Sequence, residues 1–243
     1  MISRVRWASF AVLAMLAAAS PCLAAATDST GAGPGRGGVG GPIGGSIMVL
    51  EEEYSEGALP RFDFSGQWRY AFSNSWRVQF SPGFTWSAYA KEEPIPFTDP
   101  RYPADVTKER MLTLLVPVSA QLQWTKHSGS WIYHLGAGPG VYRVWVQNRR
   151  KVLKDPITFK EHRGLYLGGT GQIGAERFFK ALPSTSLEFA LAMHYVVAKR
   201  DDQFPSGFNS ALGNASLRVG TNYYFSMNRN PKPAETALPG GGH

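Results

Sequence analysis

Between Leu112 and Trp145 the chain alternates with a period of two over a length that few folds can accommodate. Even positions carry Leu112, Leu114, Val116, Val118, Ala120, Leu122 and Trp124, with Thr113, Ser119, Gln121 and Gln123 among the residues between them. After Thr125 to Ser130 the phase switches. Trp131, Tyr133, Leu135, Ala137, Val141 and Trp145 now take the odd positions, against His134, Gly136, Gly138, Gly140 and Tyr142. Side chains alternate across a strand, so this predicts a long hairpin with one greasy face and one polar, Gly-rich face. Strands of ordinary soluble domains run about 5–6 residues, and these run more than twice that.

The same pattern recurs on either side. Arg61 to Phe72 sets Phe62, Phe64, Trp68, Tyr70 and Phe72 against Asp63, Ser65, Gln67 and Arg69. After Ser73-Asn74-Ser75, Trp76, Val78, Phe80, Phe84 and Trp86 face away from Arg77, Gln79, Ser81 and Thr85. Gly164 to Phe178 opposes Leu165, Leu167 and Ile173 to Thr170, Gln172 and Glu176. Leu187, Phe189, Leu191, Met193 and Tyr195 oppose Glu188 and His194, and Leu217, Val219, Tyr223 and Phe225 oppose Asn214, Ser216, Arg218 and Asn222. A weaker strand from Gly45 to Tyr54 brings the number to eight, the even count that closure requires. Pro82, Pro117 and Pro139 each remove a ladder donor and are expected to mark bulges or twist points.

No window beyond the N-terminus has the unbroken apolar run of about 20 residues that a membrane helix needs. Greasy strands of this length can instead cross a bilayer as a closed barrel, the only sheet that satisfies every backbone group in lipid. Connections of alternating length agree: 73–75, 125–130 and 179–184 are short, while 91–109, 147–161 and 199–209 are long and polar. Trp76 to Trp86 would span roughly 25 Å, the height of an apolar band between aromatic girdles. Trp68, Trp76, Trp124 and Trp131 are expected in one girdle, and Trp86, Trp145 and Tyr195 in the other. The predicted fold is all-β: an eight-stranded antiparallel transmembrane barrel with short periplasmic turns and longer extracellular loops.

Residues 1–26 have the form of a cleaved secretory signal, with Arg4 and Arg6 before an apolar core and small residues at its end. Its removal takes away Cys22, the only cysteine, and with it disulfides, Cys-ligated metal and thiol chemistry. Residues 27–44 read as a flexible Gly-rich leader, 45–225 as the barrel, and 226–243 as a disordered tail. The mature chain carries 23 basic and 18 acidic residues, scattered rather than striped, which argues against nucleic acid as a partner.

The leader, the hairpins, the run from Leu135 to Tyr142 and the ending from Leu217 to Phe225 resemble the small outer-membrane β-barrel superfamily of Gram-negative-type bacteria. That group includes the OmpA membrane domain, OmpX and OmpW types. The resemblance implies residence in the bacterial outer membrane as a monomer. It also implies contact with outer-membrane lipid and lipopolysaccharide, and delivery by periplasmic chaperones and the barrel-assembly machinery.

Candidate chemistry is sparse. Gly169 to Gly174 matches the dinucleotide pattern G-x-G-x-x-G, but it lies inside an alternating strand, where small residues relieve crowding in a narrow barrel. His194 lacks the Ser two positions on that a lipid-deacylating barrel would show, and the remaining histidines are too dispersed for a ligand set by spacing. No cofactor, metal or catalytic set is expected. Arg149, Arg150, Lys151 and Lys154 are candidates for lipopolysaccharide phosphates. Arg69, Arg77, Glu176, Glu188 and Arg218 all point inward, and in so narrow a lumen they are expected to form one charge network.

Three functional classes follow. The first is a non-enzymatic barrel with a side-chain-filled lumen, structural in the envelope or binding surface ligands through its loops. The second is an OmpW-like conduit for small apolar solutes, and the third a lipid-modifying enzyme. A soluble lipocalin-like barrel would instead turn the greasy faces inward.

Overall fold

The computed structural model describes residues 31–50, 52–89, 95–198 and 211–227. The expected signal at 1–26, the tail beyond 227, and residues 90–94 and 199–210 of two loops lie outside the described residues. The strands are β1 (Arg36–Val49), β2 (Ala58–Leu59), β3 (Arg61–Ser65), β4 (Gln67–Ala71), β5 (Trp76–Tyr89), β6 (Leu112–Ser128), β7 (Trp131–Asn148), β8 (Lys151–Val152), β9 (Arg163–Phe179), β10 (Leu182–Val196) and β11 (Leu212–Ser226). A single helical turn, α1 (Glu52–Ser55), follows β1.

These elements make eight antiparallel staves: β1, the collinear β3 and β4, β5, β6, β7, β9, β10 and β11. Each pairs with its neighbour in sequence, and β11 closes the ring on β1 from Arg36↔Ser226 to Val49↔Gly213. Closure removes the edges, so every stave has a partner on both sides. Chain direction puts both ends of the barrel sequence and the short turns at one rim, called here the turn end. The longer connections gather at the other, the loop end.

Residue parity decides which way each side chain faces. Apolar residues stay exposed on the outside of every stave, among them Ile43, Phe64, Phe80, Leu122, Leu135, Leu167, Met193 and Leu217. Their polar neighbours turn inward and are buried, including Asp63, Arg69, Gln79, Gln123, Glu176 and Glu188. This is the inverse of a soluble core and excludes the lipocalin-like arrangement, in which the greasy faces would line the interior.

Two sequence expectations need correction. The first strand does not begin at Gly45 and run to Tyr54; it spans Arg36–Val49, and the acidic segment folds as α1. The glycines at 37, 38, 40, 41 and 44, assigned to a flexible leader, are therefore in the barrel wall. A narrow lumen rewards small residues opposite large ones. A Cβ on Gly38 would lie 2.8 Å from the Tyr224 ring, and one on Gly44 would strike the Leu217 carbonyl. Volume, which composition does not reveal, makes this glycine run a stave.

The prolines do not act as bulges. Pairing of β5 with β6 keeps one register on either side of Pro82 and Pro117, and β7 keeps one register with β9 through Pro139. Among the described residues, the only shift between adjacent staves is between Leu182 and Ser186, beside a turn. What the prolines do is interrupt ladders. Pro42 and Pro82 flank the second stave from opposite sides, and it breaks there into β3 and β4 at Gly66, whose N–H bonds to the Pro82 carbonyl.

Candidate functional site

The lumen is filled in three storeys. At the turn end, Ala32, Ile132, Phe178 and Tyr224 form a small apolar cluster, and Gly31 tucks in by donating its N–H to the Pro183 carbonyl at 2.9 Å. Residues ahead of β1 thus help to close this rim.

The middle storey is an ion-pair network. Arg69 Nη1 lies 2.9 Å from Glu176 Oε1, and its Nη2 lies 2.6 Å from Glu188 Oε1. Arg77 Nη1 reaches the same Glu176 oxygen at 2.5 Å. Each guanidinium also donates from Nε to a glutamine: Arg69 to Gln79 and Arg77 to Gln123, both at 2.6 Å. The Tyr224 hydroxyl donates to Glu176 Oε2 at 2.5 Å, with Ser186 donating to that oxygen at 2.9 Å. Asn222 and Gln172 donate to the two oxygens of Glu188 at 3.1 and 3.0 Å. These side chains come from β4, β5, β6, β9, β10 and β11, so the network ties both walls of the barrel together.

Four of the five charged residues expected to meet do so, and Arg218 does not join them. It forms a two-point pair with Asp63, at 2.6 Å from Nε and 3.0 Å from Nη2. Gly44 explains the choice, since it lies opposite Arg218 on one side and Asp63 on the other. With no side chain between them, the guanidinium can cross β1 and reach the carboxylate. Arg218 Nη2 also lies 3.2 Å from His194 Nε2, and the other ring nitrogen of His194 is 3.3 Å from the Tyr142 hydroxyl. His194 is therefore a buried partner of Arg218 and Tyr142.

Spacing missed His134. Its ring lies 3.1 Å from Glu188, and His134, Glu176 and Glu188 place three potential ligand atoms within 4.8 Å of one another. Arg69 and Arg77 already neutralise those carboxylates, so a divalent cation would first have to displace two guanidiniums. Gly174, the last glycine of the dinucleotide-like run, makes room for this histidine: a Cβ there would meet the ring at 2.7 Å. The run lies within β9, and another strand follows it. Tyr224 shares inward parity with Arg218 and Asn222, but its place in an aromatic run, Tyr223-Tyr224-Phe225, hides that parity in the sequence.

The upper storey is apolar. Met48, Leu115, Tyr142, Val144, Val146, Val196 and Leu212 face inward, and Tyr54, Phe97, Tyr102, Met111 and Leu153 close over them from the loops. Its sequence signal was the failure of alternation in Leu114-Leu115-Val116 and Val144-Trp145-Val146, where both faces are apolar. Lys108 is fully buried in this cap, 3.3 Å from Glu53 and 3.0 Å from Glu56. Glu53 in turn accepts the N–H groups of Thr98 and Asp99.

Outside, Trp76 pairs with Trp124, while Trp68 sits opposite Phe80. Trp131 stacks beside Tyr133 and under Arg177, with the guanidinium carbon 5.5 Å from the ring. Near the other rim, Trp86 and Trp145 flank Leu114 from neighbouring strands, and Tyr195 pairs with Gly213 and Gly169. The candidate phosphate ligands are at the loop end. Arg149 and Arg150 form the β7–β8 turn with φ of 48° and 69°, a conformation that favours Asn-Gly. Arg149 is 3.0 Å from Glu109, whereas Lys151 and Lys154 are exposed.

From β8 the chain continues as a hairpin, with Lys154 bridged to Glu161, whose base is docked on the cap. Tyr102 and His162 share a 2.7 Å hydrogen bond there. Burial holds the His162 imidazole down at about 4 from an ordinary value of 6.5. Between those values the unfolded chain binds more protons than the folded one, so stability falls as pH falls through this window. At pH 5 the docked hairpin is expected to lose about 2 kcal/mol relative to pH 7.5. Faster amide exchange at residues 153–162, with β6 and β7 unchanged, is the measurement that checks it.

No family model matches the sequence, and no curated protein is significantly similar to it. Among solved structures the chain is similar to the N-terminal β-barrel domain of Pseudomonas aeruginosa OprF, at 11% identity and a TM-score of 0.45, covering 79% of this chain and 99% of that one. It is also similar to Neisserial surface protein A, at 12% identity and a TM-score of 0.46, covering 78% and 97%. The outer-membrane protein OprG from Pseudomonas aeruginosa is a further match, at 11% identity and a TM-score of 0.45, covering 81% and 99%.

Proposed function

We propose that this chain is a non-enzymatic outer-membrane β-barrel with a closed lumen, acting through the surface at its loop end. The observation that carries the reading is the filled interior: Arg69, Arg77, Glu176 and Glu188 are at most 3% exposed in mid-lumen, with apolar clusters above and below. A belt of exposed apolar side chains on every stave would strand hundreds of square ångströms in water, and lipid is the solvent that suits it. The Trp and Tyr residues near its margins suit the two interfaces. In this orientation the turn end is periplasmic, and residues 1–26 supply the export signal. Arg149, Arg150, Lys151 and Lys154 then face lipopolysaccharide phosphates, and the left-handed strain at both arginines supports a role for their charge.

Planar bilayers test the closed lumen. The wild-type barrel is expected to give no steady conductance, and Glu176→Gln with Glu188→Gln to introduce flickering channels and lower thermal stability. Steady large channels in the wild type would refute the plug. A second reading, a conduit for small apolar solutes, is favoured by the apolar upper storey. It requires the cap to open and the solute to leave sideways above the charged layer.

A further inference from the structure

The hairpin from 153 to 162 carries a feature that phosphate contact does not use. At its tip Ile157 and Phe159 are 62% and 74% exposed, the latter the highest among the large hydrophobic side chains of the described residues. The tip is built rather than loose. The fully buried Asp155 carboxylate accepts the N–H groups of Ile157 and Thr158 at 2.9 and 2.7 Å. The Asp155 carbonyl accepts the Phe159 N–H, and the Asp155 N–H donates to the Lys160 carbonyl, both at 2.9 Å. Phe159 is held at φ 57°, where a glycine would be more comfortable. An ordered turn thus displays two large apolar side chains to solvent at a cost in strain.

The charge around them has one sign. Asp155 is buried, and Glu161 lies 2.8 Å from Arg163. Lys151, Lys154 and Lys160 are exposed and have no ion-pair partner among the described residues. The free charge of the hairpin is positive, and Lys154 and Lys160 bracket the apolar pair in sequence. Because Arg101 and Tyr102 of the cap hold the hairpin base, the tip belongs to the end surface and not to the apolar belt.

We propose that this hairpin docks on the anionic surface of a second lipid bilayer apposed to the one the barrel spans. On docking, Lys151 and Lys154 would exchange lipopolysaccharide phosphates for those of the apposed bilayer, joined by Lys160, while Ile157 and Phe159 enter the headgroup–acyl boundary. That is the division of labour by which basic, apolar-tipped surfaces hold membranes. The inference rests on the outer-membrane reading above, which places the loop end outside.

The test uses the full barrel in phosphatidylcholine nanodiscs, sedimented with extruded vesicles of phosphatidylcholine alone or with phosphatidylglycerol. Wild type is expected to co-sediment with the anionic vesicles, less so in 0.5 M salt, and weakly with the neutral ones. Ile157→Ser with Phe159→Gly should weaken binding by about tenfold, since the φ of residue 159 suits glycine and the turn should persist. Lys154→Glu with Lys160→Glu should weaken it by a similar factor and remove the salt dependence. Equal sedimentation with both vesicle types would overturn the proposal, as would unchanged binding by the Ser/Gly variant. Self-association of discs without vesicles, lost in that variant, would assign the patch to a second copy and overturn it too. Heat-modifiable gel mobility of each variant reports the barrel separately, so failure of the hairpin proposal is distinguishable from failure of the membrane reading.

Discussion

Arg69→Leu is expected to destabilise the barrel by about 3–5 kcal/mol, because it leaves a buried carboxylate without its cation. Arg69 is 1% exposed and bridges Glu176 and Glu188, which lie on neighbouring strands. Glu176 would keep Arg77, but Glu188 would keep only the dipoles of Gln172 and Asn222 and the ring of His134. Unfolding in lipid vesicles, followed by tryptophan fluorescence over a urea series, measures the loss. Adding Glu188→Gln to Arg69→Leu should recover much of it, since an amide is far cheaper to bury than an unpaired carboxylate. If Arg69→Leu cost under 1 kcal/mol, the network would not be holding the two walls together.

Lys108→Met should leave the barrel intact and release its cap. The ammonium is fully buried between Glu53 and Glu56, and Glu53 is itself only 4% exposed. Removing the cation leaves a buried carboxylate at the junction of α1 with the 95–111 loop, at a cost of about 3 kcal/mol. The affected contacts are local, because Phe97, Tyr102 and Met111 of that loop belong to the apolar cluster under the cap and not to the strand ladders. Rapid proteolysis within 95–111 at unchanged heat-modifiable gel mobility is the expected result. Glu53→Gln in the same chain should restore part of the protection. Loss of gel mobility instead would mean that cap and wall unfold as one unit.

Much of the architecture was legible because a strand has a period of two and a barrel has two environments. Parity alone placed Phe64, Leu122 and Leu135 outside, and Arg69, Arg77, Glu176 and Glu188 inside. Proximity to the short turns then put those four charges at similar heights, which is why their meeting could be expected. What stayed hidden depends on volume and on contacts between distant strands. The glycines of β1 look like disorder as composition, yet they are the small residues that let Tyr224, Asn222 and Arg218 enter the lumen. The same stave decides that Arg218 pairs with Asp63, because Gly44 sits between them and no local pattern records which strands flank a glycine. His134 reaches Glu188 by a similar route, with Gly174 giving up the space. Sequence by itself thus determined the faces of the strands and the filled, charged middle of the lumen, since both follow from alternation along one chain. Tertiary structure alone decided the partner of each charge, the apolar storey beneath the cap, and the hairpin that displays Phe159, because these depend on residues that become neighbours only when the ring closes.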